Sequence, residues 1–178
     1  SLQTAILHDR PPPDYRNYSH RDYGHRVGVF RVFDILEKHG IKPTVAMDAL
    51  TAENYRYLVR HCLDKGFEII SHGVSLSRMI SSNMSEKDET DYIRRSIAAI
   101  TDATGIAPQG WLGPEFGESA RTPQLLADNG IRYICDWVND EQPYPMKAGD
   151  RKLYGLPIML DLDDNFALWE RQYRVDEY

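Results

Sequence analysis

Cysteine is scarce in this chain: Cys62 and Cys135 are the only two in 178 residues. They make neither a Cys-x-x-Cys pair nor a zinc-ligand spacing. Both read as reduced, buried thiols that pack like small hydrophobes, not as a disulfide. That points to a reducing compartment, the cytoplasm. Positive charge is also short. Lys and Arg number 21 against 27 Asp and Glu, a net charge of −6, and there is no basic block. A nucleic-acid partner is excluded on that ground. No apolar run approaches the roughly 20 residues of a membrane helix, so no membrane partner is expected. GxGxxG, P-loop, GxSxG and HExxH patterns are all missing. His72 has no second histidine at ligand spacing, since position 76 is leucine.

What is present fits one globular domain over residues 1–178. Apolar residues make up 42% and charged ones 27%, enough for a core without disulfides or a structural metal. Up to residue 24 the chain is polar and proline-rich, with no helical period, and reads as a loop. From Arg26 to His39, Val29, Val32, Phe33 and Leu36 fall on one helical face, and Gly40 stops it. Lys42–Met47 reads as a strand. Thr51 opens a helix that runs to Gly66. Phe67–Ile70 is the next strand. Ser85–Asp88 resembles a capping box opening a helix that ends at Gly105. Pro108–Leu112, Ile131–Cys135 and Leu153–Ile158 read as strands, Thr122-Pro123 starts a short helix, and Phe166–Arg171 starts a last one. Alternating strands and helices imply βα units and a parallel sheet.

In such folds, functional groups sit just beyond the C-terminal ends of the strands. His72 follows Phe67–Ile70 and precedes Gly73. It is the side chain best suited to proton transfer near neutral pH. Asp136 follows Ile131–Cys135, where it either orients a histidine or caps a turn. Glu115 and Glu118 flank Gly117 in the loop after Trp111; Glu115 is taken as a reserve base. Arg26 is a candidate for holding substrate oxygens, although arginines fix loops equally well. Backbone N–H groups around Gly113 are a second candidate. Trp111 and Trp137 would make apolar walls for a small polar ligand, or serve only as core aromatics.

Three stretches carry a resemblance. His72-Gly73 after an apolar strand, Gly110-Trp111-Leu112-Gly113-Pro114, and the run Cys135 to Pro145 resemble the polysaccharide deacetylase superfamily. Within it, they resemble the branch of metal-independent allantoinases and cyclic-imide hydrolases. Asn17 to Gly28 is similar to the segment before that branch's first long helix. The resemblance implies a distorted (β/α) barrel of about seven strands and hydrolysis of a C–N bond that is not a peptide bond. Metal-dependent members use a His-x-x-x-His loop and an Arg-containing loop. Here Leu76 stands at the second His and Leu112 where the Arg would fall. The family's first-strand acid is expected before Ser1 and its Leu-His motif after Tyr178. The chain is therefore expected to lack the first strand and the C-terminal part, and to show about five strands.

These readings give a hydrolase of cyclic amides, imides or allantoin-like substrates. His72 is the proton shuttle, Asp136 its partner and Glu115 in reserve. No cofactor is expected. The alternative is a metal-dependent deacetylase of N-acetyl sugars, with a divalent ion such as zinc and His72 as its first ligand. A further alternative is an inactive homologue that only binds. The expected partners are a small-molecule substrate and further copies of the chain in a homo-oligomer.

Overall fold

The computed structural model describes residues 14–174 and 176; the Pro11-Pro12-Pro13 run lies outside them. The chain divides into two compact units, one up to Pro43 and one from Thr44 onward. In the first, helix α1 (Tyr15–Tyr23) continues through a π turn (Gly24–Gly28) into α2 (Val29–Lys38). The expected loop is thus helical from residue 15. Its side chains are polar or exposed all round, so the helix leaves no apolar period in the sequence. Local bonds such as Ser19 Oγ–H to the Arg16 carbonyl (3.0 Å) support it.

The second unit is a six-stranded open sheet in the order β1-β2-β3-β4-β6-β5. The strands are β1 (Thr44–Met47), β2 (Glu68–Ser71), β3 (Gly110–Trp111), β4 (Tyr133–Ile134), β5 (Tyr144–Met146) and β6 (Leu153–Gly155). All neighbouring pairs are parallel except β5–β6. The antiparallel β5 was not expected, because Pro145 interrupts its pattern. Proline is tolerated there because β5 is an edge strand.

Helices α3 (Ala49–Asn54) and α4 (Arg56–Asp64) replace the single helix expected from Thr51. Helix α3 begins two residues earlier than expected and is capped by Asp48, which accepts from Thr51 N–H at 3.0 Å and Thr51 Oγ1–H at 2.7 Å. The break comes at Tyr55, just after Asn54, whose Nδ2–H donates back to the Leu50 carbonyl at 2.7 Å, a local bond that competes with the backbone ladder. Helix α5 (Glu86–Thr104) starts and stops as expected: Ser85 caps Asp88 N–H at 3.1 Å, and Gly105 adopts φ 75°. It buries Tyr92, Ile93, Ser96, Ala99 and Ile100, a face at three- and four-residue steps. Helix α6 (Thr122–Asp128) follows with Pro123 in its first turn. Trp111, Ile93, Leu126, Ile134 and Leu153 meet in the core. Cys62 and Cys135 are free and buried, and burial pushes their thiols up to about 11 and about 12. No helix among the described residues is long and apolar enough to cross a membrane.

One buried charge anchors α5. Glu89 is 0% exposed. Its carboxylate accepts from Ser119 Oγ (2.9 and 2.8 Å), Thr122 Oγ1 (2.5 Å) and Arg121 Nη2 (3.0 Å). Arg121 also donates to the Met84 carbonyl at 2.7 Å. This network ties α5 to the loop leading into α6. Glu89→Ala is expected to cost about 2–4 kcal/mol in urea unfolding, because it leaves the buried Ser119 and Thr122 hydroxyls without their acceptor and removes the partner of the half-exposed Arg121 guanidinium. A cost below about 1 kcal/mol would show that water replaces the carboxylate.

Candidate active site

The site is built by register. Ser71 pairs with Trp111, and Trp111 with Ile134. The residues just beyond these strand ends are therefore brought level: His72 after β2, Leu112 and Gly113 after β3, Cys135 and Asp136 after β4.

Backbone contacts hold His72 on both sides. Its own N–H donates to the Met47 carbonyl at 3.0 Å. Ser96, on α5, donates to the Gly73 carbonyl at 2.6 Å. The Ser96 proton is thereby used, so Ser71 Oγ–H must be the donor in its 2.6 Å contact with Ser96 Oγ. Gly73 turns the chain at φ 70°, and a Cβ there would lie 2.3 Å from Tyr92 Oη and 2.8 Å from Pro114 Cγ. Only glycine fits this position.

The imidazole is half-buried, with Nδ1 2.5 Å from the Leu112 carbonyl oxygen. A carbonyl only accepts, so Nδ1 carries the proton and Nε2 is the basic nitrogen of the neutral ring. The other end of that peptide unit is also engaged. Gly113 N–H donates to Asp136, 2.8 Å from Oδ1 and 2.9 Å from Oδ2. One peptide therefore links His72 to Asp136. A Cβ on Gly113 would sit 2.9 Å from Asp136 Oδ2 and 3.0 Å from the Gly117 carbonyl, so the close approach needs glycine.

Asp136 has a second partner, Glu118. Burial, then a hydrogen bond to Asp136 and its charge, push the Glu118 carboxyl up to about 9. Asp136 is also raised, chiefly by burial, while the bonds from Glu118 and Gly113 N–H and the His72 charge pull it back. Glu118 is thus the member that keeps the proton and donates it to Asp136. Trp137 Nε1–H donates to Glu118 Oε2. Glu118 Oε1 is buried without any donor among the described residues, as a protonated oxygen would be. The Tyr144 hydroxyl, from β5, donates to the Trp137 carbonyl at 2.7 Å, so the unexpected strand steadies the Trp137 loop.

The candidates from sequence are distributed as follows. His72, Gly113, Asp136 and Trp137 come together. The Gly113 N–H is occupied by Asp136 rather than left for a substrate oxygen. Trp111 is fully buried in β3, with its indole nitrogen lacking a hydrogen-bond partner among the described residues. Glu115 is exposed on a 3-10 turn (Pro114–Phe116), whereas Glu118 is the carboxyl that meets Asp136. Arg26 belongs to the N-terminal unit, on the π turn, where its Nη1 lies 3.5 Å from Asp22 Oδ2. The one signal for Glu118 was its place after Gly117 in a strand-end loop. A cavity of about 420 Å³ is lined by Ser82, Phe116, Glu118, Ser119, Ala120, Asp136 and Trp137. Among the described residues no three His, Cys, Asp or Glu side chains group as metal ligands, and Leu76 is exposed. This donor set does not fit a three-ligand ion.

Comparison with known proteins places these features in context. Residues 12–134 match the family model described as polysaccharide deacetylase. A peptidoglycan deacetylase of Helicobacter pylori is 30% identical over 125 residues, 70% of this chain and 42% of its own length. The structure of a probable polysaccharide deacetylase from Pseudomonas aeruginosa PAO1 is 25% identical, with TM-score 0.79, over 97% of this chain and 57% of that one. The allantoinase PuuE is 26% identical, with TM-score 0.78, over 89% and 53%. The chain thus spans about half the length of these relatives.

Glu118 gives a stability signature. Its carboxyl rises from an ordinary 4.5 to about 9 on folding, so the folded state holds the proton more tightly than the unfolded one. The stability this contributes is complete below about pH 4.5 and is lost as pH climbs through about 9. Glu118→Gln imitates the protonated form. Its unfolding free energy relative to wild type should therefore increase between about pH 5 and about pH 8, by at most about 1.4 kcal/mol per pH unit. A flat difference would mean that Glu118 is ionised in the fold.

Proposed function

Because the chain belongs to the polysaccharide deacetylase family, we propose that it hydrolyses a non-peptide carbon–nitrogen bond, first of all in a cyclic amide, imide or allantoin-like ring. The observation that carries this reading is the Leu112–Gly113 peptide, which takes the His72 Nδ1 proton on its carbonyl and gives its N–H to Asp136. It leaves Nε2 as the basic nitrogen, with Asp136 within reach of the His72 charge and Glu118 retaining its proton on the far side of Asp136.

In this proposal water attacks the substrate carbonyl carbon and passes a proton to His72 Nε2. The carbonyl electron pair moves onto oxygen, giving a tetrahedral intermediate. Its collapse restores the carbonyl and breaks the C–N bond, and the leaving nitrogen takes the proton of Glu118. The imidazolium then returns its proton to Glu118 through solvent. The sum is amide plus water giving acid plus amine. Asp136 stays ionised, holds the Gly113 N–H and stabilises the imidazolium by its charge. It is a positioning residue. The described donors do not fit a three-ligand metal ion, and in this proposal His72 and Glu118 carry the proton transfers.

A second reading, deacetylation of an N-acetyl sugar, is favoured by the 30% identity to the peptidoglycan deacetylase. It uses the same bond chemistry, with His72 as the candidate ligand if an ion takes part. The two separate on substrate and chelator. Hydantoin or allantoin turnover that survives chelator is expected. Chelator-sensitive turnover of acetylated sugars alone would contradict the first reading. His72→Gln should lower kcat/KM by about 10²–10⁴-fold, with the thermal midpoint little changed; undiminished turnover would remove His72 from the mechanism.

A further inference from the structure

The register that levels the strand ends reaches beyond the three strands of the site. Ile134 pairs with Gly155 on β6, and Gly155 with Tyr144 on β5. One row therefore runs from Ser71 through Trp111, Ile134 and Gly155 to Tyr144. The Tyr144 ring uses the gap at Gly155, where a Cβ would lie 2.5 Å from Tyr144 Cζ and 2.8 Å from its Oη. Glycine in a strand interior marks such a close approach. With no side chain in its path, the ring lies across β6 and its hydroxyl reaches the loop after β4. There it donates to the Trp137 carbonyl at 2.7 Å and accepts from Asn139 Nδ2 at 3.1 Å.

Trp137 is held a second time, by its side chain, because the indole N–H donates to Glu118 Oε2. The charged groups that face Glu118 are Asp136, after β4, and Glu89, on α5. Both favour the proton that Glu118 keeps. Arg121 is taken up by Glu89, and the His72 charge acts on Asp136. The indole N–H works the other way, since a donor to a carboxylate favours its ionised form. Release of the Glu118 proton therefore depends on where the indole stands. We propose that Tyr144 is a positioning residue for hydrolysis: reaching across Gly155, it latches the Trp137 carbonyl and so keeps the indole N–H on Glu118 while that carboxyl gives up its proton. This rests on the amide-hydrolase reading above and adds to it a residue from the edge strand.

The test follows turnover of hydantoin and of N-acetylglucosamine oligomers across pH, and the Trp137 indole N–H resonance by NMR, identified by its loss in Trp137→Phe. Tyr144→Phe keeps the ring and removes the hydroxyl. Gly155→Ala keeps the hydroxyl and blocks its path. On whichever substrate wild type hydrolyses, both variants should lower kcat about 10–100-fold and leave KM nearly unchanged. Both should also move the alkaline limb of the kcat/KM profile to higher pH and displace the indole resonance. Tyr133→Phe is the matched control. Tyr133 likewise lies against a strand glycine, Gly110, and its hydroxyl bonds Glu68 at the start of β2. Its loss should lower the thermal midpoint and leave kcat and the resonance in place. An unmoved resonance or an unchanged kcat in Tyr144→Phe overturns the latch alone, even where the thermal midpoint falls. Wild type that hydrolyses neither substrate overturns the amide-hydrolase reading itself, and the part of Tyr144 in it.

Discussion

The Leu112–Gly113 peptide is the contact on which the site depends. A trans peptide points its carbonyl and its N–H in opposite directions, so one unit serves two partners without conflict. His72 donates into one end at 2.5 Å, and Asp136 accepts from the other at 2.8 Å. Each bond polarises the peptide in the sense that strengthens the other. An aspartate thereby influences a histidine that it need not touch. The arrangement requires three adjacent parallel strands in register, since β2, β3 and β4 each supply one part. It also requires glycine at 113, where a side chain would push Asp136 away.

Around this unit the protein opposes two kinds of burial. Glu89 is buried with a full set of donors and stays tied to Arg121. Glu118, in the next loop, is buried without them and keeps its proton. The first fixes the loop on which the second sits, through Ser119 and Thr122. A rigid anchor beside a carboxyl with displaced proton affinity is the division expected where a site gives up some stability for reactivity.

The sequence was most legible where an apolar run ends abruptly. His72, Asp136 and Trp137 were found that way, since a buried strand followed by polar residues and glycine marks a strand end. Ser85 and Gly105 were equally plain, because caps are local chemistry. Three features were not legible. Helix α1 has no apolar face, so no period betrays it. Strand β5 is read through Pro145 only once its edge position is known. The choice of Glu118 over Glu115 depends on a left-handed turn at 115 and 116, and no spacing rule predicts φ in a loop. The turn thus brings Glu118, three residues beyond Glu115, against Asp136, while the strands that frame the loop end where the apolar runs end.

The central claim concerns one proton. Nitrogen NMR of the His72 ring, assigned by comparison with His72→Gln, reports directly which nitrogen carries it. The account predicts Nδ1–H with a basic Nε2 when the ring is neutral. A ring protonated on Nε2 would contradict it, for the Leu112 carbonyl would then face a lone pair and the peptide would no longer join His72 to Asp136.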